Sequence, residues 1–233
     1  MSPVGLLLRR EPPLLVTNNF EGGTNGSTIF AVTSGGGSGT NFDFVGRGAG
    51  ATFTWDNAQH AHGSLSGAIT GTSGTVTNCG FLNNINCTTV AIRMYIYFDT
   101  LPSTALRVMD IRNSGGSILR VNVTAANKFQ AQEGGGSTLA FTVATAFSAT
   151  TWYRLEALVT LISATAGTYS FDYYALDSTS PVETGISKNT GNLGTTNIVQ
   201  LNYGSTANAT WTGTMHIDDI AFLRNGTAYI GHA

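Results

Sequence analysis

Two adjacent carboxylates in an apolar run, Asp218 and Asp219 within TGTMHIDDIAFL (212–223), are the first chemistry this chain offers. Side chains alternate between faces along a strand. His216, Asp218, Ile220 and Phe222 are therefore expected on one side, and Ile217, Asp219, Ala221 and Leu223 on the other. One aspartate then shares a face with Ile217 and Ala221, where a carboxylate needs hydrogen-bond donors or a cation. The expected partner lies at the far end of the sequence, in Asn18-Asn19-Phe20-Glu21-Gly22-Gly23.

Other reactive residue types are scattered. His60 and His62 in WDNAQHAHGS stand two apart, but with no third ligand nearby they read as loop histidines. Asp110 in VMDIRNSG stands alone. The loop SGGGSGT lacks the lysine and the following helix of a phosphate-binding loop, and no G-x-S-x-G marks a serine nucleophile. Trp152 opens an alternating strand beside Arg154 and Glu156. Trp55 and Trp211 are the candidates to line a groove and stack on a glycan.

The elements that must position these residues read as strands. Val90, Ile92, Met94, Ile96 and Phe98 alternate with Ala91, Arg93, Tyr95 and Tyr97. Leu119, Val121 and Val123 alternate with Arg120, Asn122 and Thr124, and similar runs cover Tyr153–Leu161 and Tyr169–Ala175. Each has period two with β-branched and aromatic enrichment, and no Gly-free window has a helical period. Some fourteen short strands over 233 residues predict one all-β domain, a two-sheet antiparallel jelly-roll sandwich spanning residues 17–233. Residues 1–16, with Pro3, Pro12 and Pro13, read as an extended N-terminal arm. Its Leu6, Leu7, Leu8, Leu14 and Leu15 are expected to dock at an interface, since an exposed leucine run is a sticky patch.

Charged residues make up only 10% of the chain and the net charge is −2, with nine arginines against Lys128 and Lys188. Without a basic run, nucleic acid is not an expected partner. No stretch approaches the ~20 apolar residues of a membrane span. MSPVGLLLRREPPLL lacks the order of a signal peptide, so synthesis in the cytoplasm is expected. Cys79 and Cys87 flank GFLNNIN and leave two alternatives open, a small disulfide-closed loop or two free thiols.

The succession FEGG, MYIYFDTLP, RVMDIRNSGGSILRVNV, TWYRLEALVTL, GTYSFDYYALD and HIDDIAF resembles the concanavalin A-like lectin/glucanase (laminin-G-like) jelly roll, over about Thr17–Ile230. With an arginine-rich composition and a leading arm, it also resembles virion proteins of actinobacterial bacteriophages. In related carbohydrate-binding jelly rolls a Glu after Phe and an Asp on the last strand hold a structural calcium. The resemblance puts Glu21 and Asp219 in those places, with Asp218 the substitute if the register slips by one. The alternative is that both carboxylates accept backbone N–H groups. No other cofactor is expected. Glucanases of this resemblance carry E-x-D-x-x-E on one strand, and none of Glu11, Glu21, Glu133, Glu156 or Glu183 has an Asp two residues on.

The expectation from these readings is a non-enzymatic virion structural protein of a tailed phage, most simply a capsid decoration or minor capsid protein. Its arm would anchor it to sister subunits, as a trimer, and to the major capsid or tail protein. A carbohydrate-binding module or receptor-binding tail protein recognising host glycans is the alternative, and a glycan hydrolase or lyase the third reading.

Overall fold

The chain's alternating runs become strands because each can turn one row of side chains inward and the other outward. A computed structural model describes residues 12–31, 39–83, 85–134, 138–163, 166–184, 193, 196–206 and 211–233. Fifteen strands form among them. In order these are β1 (Leu14–Asn18), β2 (Phe44–Arg47), β3 (Thr52–Asp56), β4 (Ser66–Gly71) and β5 (Thr77–Phe81). Then follow β6 (Thr89–Phe98), β7 (Leu106–Asn113), β8 (Gly116–Val123), β9 (Phe129–Glu133) and β10 (Thr138–Thr142). The last are β11 (Tyr153–Ser163), β12 (Ala166–Ala175), β13 (Glu183–Thr184), β14 (Ile198–Ser205) and β15 (Gly213–Arg224). No α-helix occurs among the described residues.

Two antiparallel sheets result, which is the jelly-roll sandwich the periodicity predicts. One has eight strands, ordered β13-β12-β11-β6-β15-β4-β3 with β1 also pairing β15; the other has seven, ordered β10-β9-β8-β7-β14-β5-β2. The two ends of the chain do meet: Leu14 to Asn18 pair with Arg224 to Ile220. Leu14, Leu15 and Val16, assigned to the arm from sequence, thus lie in β1. Leu14 and Leu15 are exposed there, while Leu6, Leu7 and Leu8 lie outside the described residues.

The core between the sheets is aromatic. Phe129 stacks on Phe147 with ring centroids 4.6 Å apart, and contacts Tyr173 at 5.2 Å and Phe171 at 6.1 Å. Such offset and tilted pairs add to the area they bury. Cys79 and Cys87 are buried free thiols in this core, not a disulfide.

Trp55 and Trp211 are core residues too, which corrects the expectation that they line a glycan groove. Trp55 is 4% exposed and Trp211 3%. Each lies against a glycine that leaves room for the indole: a Cβ on Gly23 would stand 1.9 Å from Trp55, and one on Gly71 2.5 Å from Trp211. Neither ring can stack on a sugar while the sandwich is closed. Trp211→Ala should therefore cost about 3–5 kcal/mol of unfolding free energy, read from the shift of a urea transition. A change below about 0.5 kcal/mol would place the ring at the surface instead.

Candidate functional site

Two outward faces carry polar chemistry, and β-bulges shape both. On β15 the register with β6 slips between Asp218 and Ala221, and Asp219 adopts a left-handed backbone (φ 41°). The slip keeps Met215, Ile217, Ile220 and Phe222 in the core. It also turns both Asp218 and Asp219 to the outer side, so the expected sharing of a face with Ile217 does not occur. Asp218 Oδ2 accepts N–H bonds from Ala61 at 2.9 Å and His62 at 3.3 Å, and its Oδ1 accepts the Asp219 N–H at 2.8 Å. Burial, reinforced by the Asp219 charge, pushes the Asp218 pKa up to about 8 despite those bonds.

His62 is not the plain loop histidine its sequence suggests. Its Nδ1 pairs with Asp219 Oδ2, and its Nε2 with Asp177 Oδ2 at 2.8 Å. Tyr95 packs edge-on against the ring with centroids 4.9 Å apart and donates to Asp177 Oδ1 at 2.7 Å. Burial would lower the histidine's pKa, but the two carboxylates outweigh it and the net shift is upward. The Tyr95 pKa rises to about 12 through burial and the Asp177 bond. His60 has no comparable place, and the signal that separates the two histidines is tertiary.

Glu21 reaches the same region, as expected, and its charge adds to burial in raising the Asp219 pKa against the opposing His62 and Arg93. Its Oε1 accepts the Ser64 and Leu65 N–H groups at 2.8 and 2.9 Å, and its Oε2 the Ser64 hydroxyl at 2.8 Å. Although burial opposes it, those donors hold the Glu21 pKa below its ordinary value. As placed, Glu21 and Asp219 do not fit the calcium ion that the resemblance implies. Both Glu21 oxygens already face donors, Asp219 Oδ2 faces a histidine, and no group of three His, Cys, Asp or Glu side chains gathers as a metal site among the described residues.

The rest of this outer face is covered. Arg93 donates from Nε to the Asp219 carbonyl at 3.2 Å and from Nη1 to that of Gly231 at 3.1 Å. The Gly231 N–H donates to Glu156 Oε2 at 3.0 Å, and Arg154 Nε to Glu156 Oε1 at 2.7 Å. Residues 225–233 and the loop 57–65 thus roof the centre of the eight-stranded sheet, and all ten residues of β6 are buried.

The outer face of the seven-stranded sheet differs in charge and in cover. A bulge at Val108, between Arg107 and Met109, puts Arg107 on the same side of β7 as Asp110 and Arg112, and a second bulge at Ile118 on β8 brings Ser117 opposite Arg112. The registers set out three rows across the strands. These are Gln132, Arg120, Asp110 and Asn202; Gln130, Asn122 and Arg107; and Ser117, Arg112 and Gln200. Asp110, which the sequence shows as solitary, lies among three guanidinium groups. Its Oδ2 accepts from Arg112 Nη1 at 3.0 Å and from Ser117 Oγ at 3.0 Å, and Arg107 Nη1 stands 3.8 Å away. Burial and the Arg120 charge lower the Arg107 pKa. Arg107 Nε, Arg120 Nε and Asp110 Oδ1 are buried with no hydrogen-bond partner. The side chains are not fully covered: that of Arg107 is 21% exposed and that of Arg112 35%.

No protein-family model and no curated protein matches this sequence. Solved structures do. An endo-β-1,4-glucuronan lyase from the fungus Trichoderma reesei superposes over 90% of this chain and 94% of its own, with TM-score 0.62 and 12% identity. The alginate lyase Aly36B matches over 94% and 98%, with TM-score 0.61 and 10% identity. A cellulose-induced protein, Cip1, matches over 94% and 100%, with TM-score 0.59 and 16% identity. The likeness is one of fold.

These matches correct two expectations. The non-enzymatic virion role, capsid decoration included, followed from the apolar arm, the low charge, the missing catalytic pair and a resemblance to virion proteins, whereas the solved structures sharing this fold are mostly polysaccharide lyases. The expectation of no enzyme rested on the missing E-x-D-x-x-E pair. That pair serves hydrolysis of a glycosidic bond, and elimination does not require it.

Two measurements test the acidic cluster. Asp218 and His62 both have raised pKa values in the folded chain, so their contributions to stability fall as pH rises through the neutral range. Asp218→Asn should flatten that fall between pH 4 and 8 in denaturant titrations, and an unchanged slope would show that Asp218 is ionised throughout. Calcium and chelator should leave the thermal midpoint unchanged, whereas a calcium-dependent rise would return Glu21 and Asp219 to a metal.

Proposed function

We propose that this chain is a carbohydrate-active enzyme that binds an anionic, uronate-bearing polysaccharide across the outer face of the seven-stranded sheet and cleaves it by β-elimination. The observation that carries the reading is the three-row field of guanidinium, amide and hydroxyl groups on that face. Guanidinium pairs with a carboxylate in a planar, two-point geometry, and amide side chains both donate to and accept from sugar hydroxyls. Neighbouring strands stand about 4.8 Å apart, comparable to the length of one pyranose unit, so each strand crossed can meet one sugar. The fold's likeness to lyases acting on glucuronan and alginate supports the same choice.

The acidic face suits such a substrate poorly. Glu21, Asp177 and Asp219 gather near His62, with His60, His232 and Arg93 close to them and the Asp218 carboxyl kept from ionising by burial, and a polyanion would meet like charge from the three carboxylates.

Elimination removes the proton on C5 beside the uronate carboxylate. The electron pair forms the C4–C5 double bond, the C4–O4 bond breaks, and the departing oxygen takes a proton. The carbanion-like charge spreads onto the carboxylate, so a guanidinium held against it lowers the barrier. Arg107, Arg112 and Arg120 fill that role, and Asn122, Asn202, Gln130, Gln132 and Gln200 hold ring hydroxyls. The strands of this face turn no His or Tyr outward among the described residues, Tyr203 of β14 being in the core, and in this reading the proton acceptor is drawn from the rim.

Incubation with polyglucuronate, alginate and a neutral glucan separates the outcomes. At least one polyuronate should shorten with growth of ultraviolet-absorbing unsaturated ends, and Arg120→Ala should slow this about a hundredfold. If neither polyuronate is shortened, or only the neutral glucan is, the reading fails.

A further inference from the structure

Asp110 sits in the middle row of the cationic face and is 1% exposed, yet one of its oxygens has no partner. Its other oxygen holds Arg112 directly and through Ser117, whose hydroxyl lies 3.3 Å from the same Arg112 nitrogen. Arg107 stands on its other side, three residues earlier on the strand. Across the ladder on β8, Arg120 is directly opposite Asp110, and its buried Nε has no partner. A carboxylate so placed does two things. It fixes long, flexible arginine side chains at set positions, and it offsets the repulsion among three like charges that would otherwise splay them outward.

We infer that Asp110 is a positioning residue, which holds Arg107 and Arg112 at fixed places so that they and Arg120 meet a substrate carboxylate together. This rests on the reading of the face as a polyanion site. It goes further, because it assigns to the one negative group there a favourable effect on binding a negative ligand. Net charge alone says the opposite: removing Asp110's charge makes the face more cationic and should tighten polyanion binding. Positioning says that the same change loosens binding, because the arginines lose their anchor. The two accounts differ in sign.

The test is calorimetric titration of the full chain with glucuronate oligosaccharides and with alginate oligosaccharides over a range of salt concentration. Asp110→Asn keeps the shape and removes the charge. It should weaken binding about tenfold, as expected for a lost charge-assisted contact. The dependence of affinity on salt should also become shallower, because fewer guanidinium groups reach the ligand; a role confined to folding would leave that dependence unchanged. Ser117→Ala removes no charge and should weaken binding by a smaller factor in the same direction, which keeps the test available should Asp110→Asn fold poorly. Equal or tighter binding by Asp110→Asn, or by Ser117→Ala where only that variant folds, overturns the positioning role. A wild-type chain that binds neither oligosaccharide overturns instead the reading of the face on which the inference rests.

Discussion

A strand has two sides and no others, and its core side accepts no unpaired charge. Everything polar in this sandwich follows from how the chain satisfies that constraint. Where a strand must present more polar groups on one side than strict alternation allows, it gains a residue. The bulge at Asp218–Ala221 lets Ile217 and Ile220 both face the core although three positions separate them. The bulge at Val108 in β7 does the same: Val108 and Met109 both stay inside, with Arg107 outward before them and Asp110 outward after them. Extra residues of this kind re-aim side chains without breaking the sheet.

The two faces made in this way have opposite designs. On the eight-stranded sheet most of these polar groups are satisfied from within: Asp218 by backbone N–H groups, His62 by two carboxylates, Glu156 by Arg154 and the Gly231 amide, with His216 Nδ1 an exception. Such closed networks stiffen what they join, tying the loop 57–65 and residues 225–233 to the sheet. On the seven-stranded sheet several buried polar atoms have no protein partner and the Arg107 and Arg112 side chains are partly exposed. Buried polar groups without partners are uncommon in folded proteins, and one explanation is a ligand that completes them.

The fold was largely legible in the sequence, because Val90–Phe98, Leu119–Val123 and Tyr153–Leu161 alternate without interruption and each became a strand, although burial of every β6 residue, Arg93 included, follows from the covering loops and not from the alternation. The meeting of the chain ends was legible too, from the need of a carboxylate on β15 for a partner in the segment 18–23 that follows β1. The sites were not. Period-two reasoning puts Arg107 with Met109 and separates Asp218 from Asp219, and both statements fail at a bulge, which leaves no clear mark in composition. His62 resembled His60 until the fold brought Asp177 and Asp219 to it from more than a hundred residues away. Trp55 and Trp211 misled for another reason. Tryptophan suits both a sugar platform and a core, and the deciding residues, Gly23 and Gly71, lie far from either indole in sequence.

A formal charge of −2 conceals how unevenly charge is distributed. Among the described residues, Glu21, Asp56, Asp99, Glu156, Asp172, Asp177, Glu183 and Asp219 lie on the eight-stranded side with Arg93, Arg154 and Arg224, while Arg47, Arg107, Arg112, Arg120 and Lys128 stand with Asp43, Asp110 and Glu133 on the other. The described residues therefore form an electric dipole whose axis runs through the sandwich from one sheet to the other. In the field of a long anionic polymer it would turn before contact, arginines leading, at any ionic strength low enough for that field to reach it.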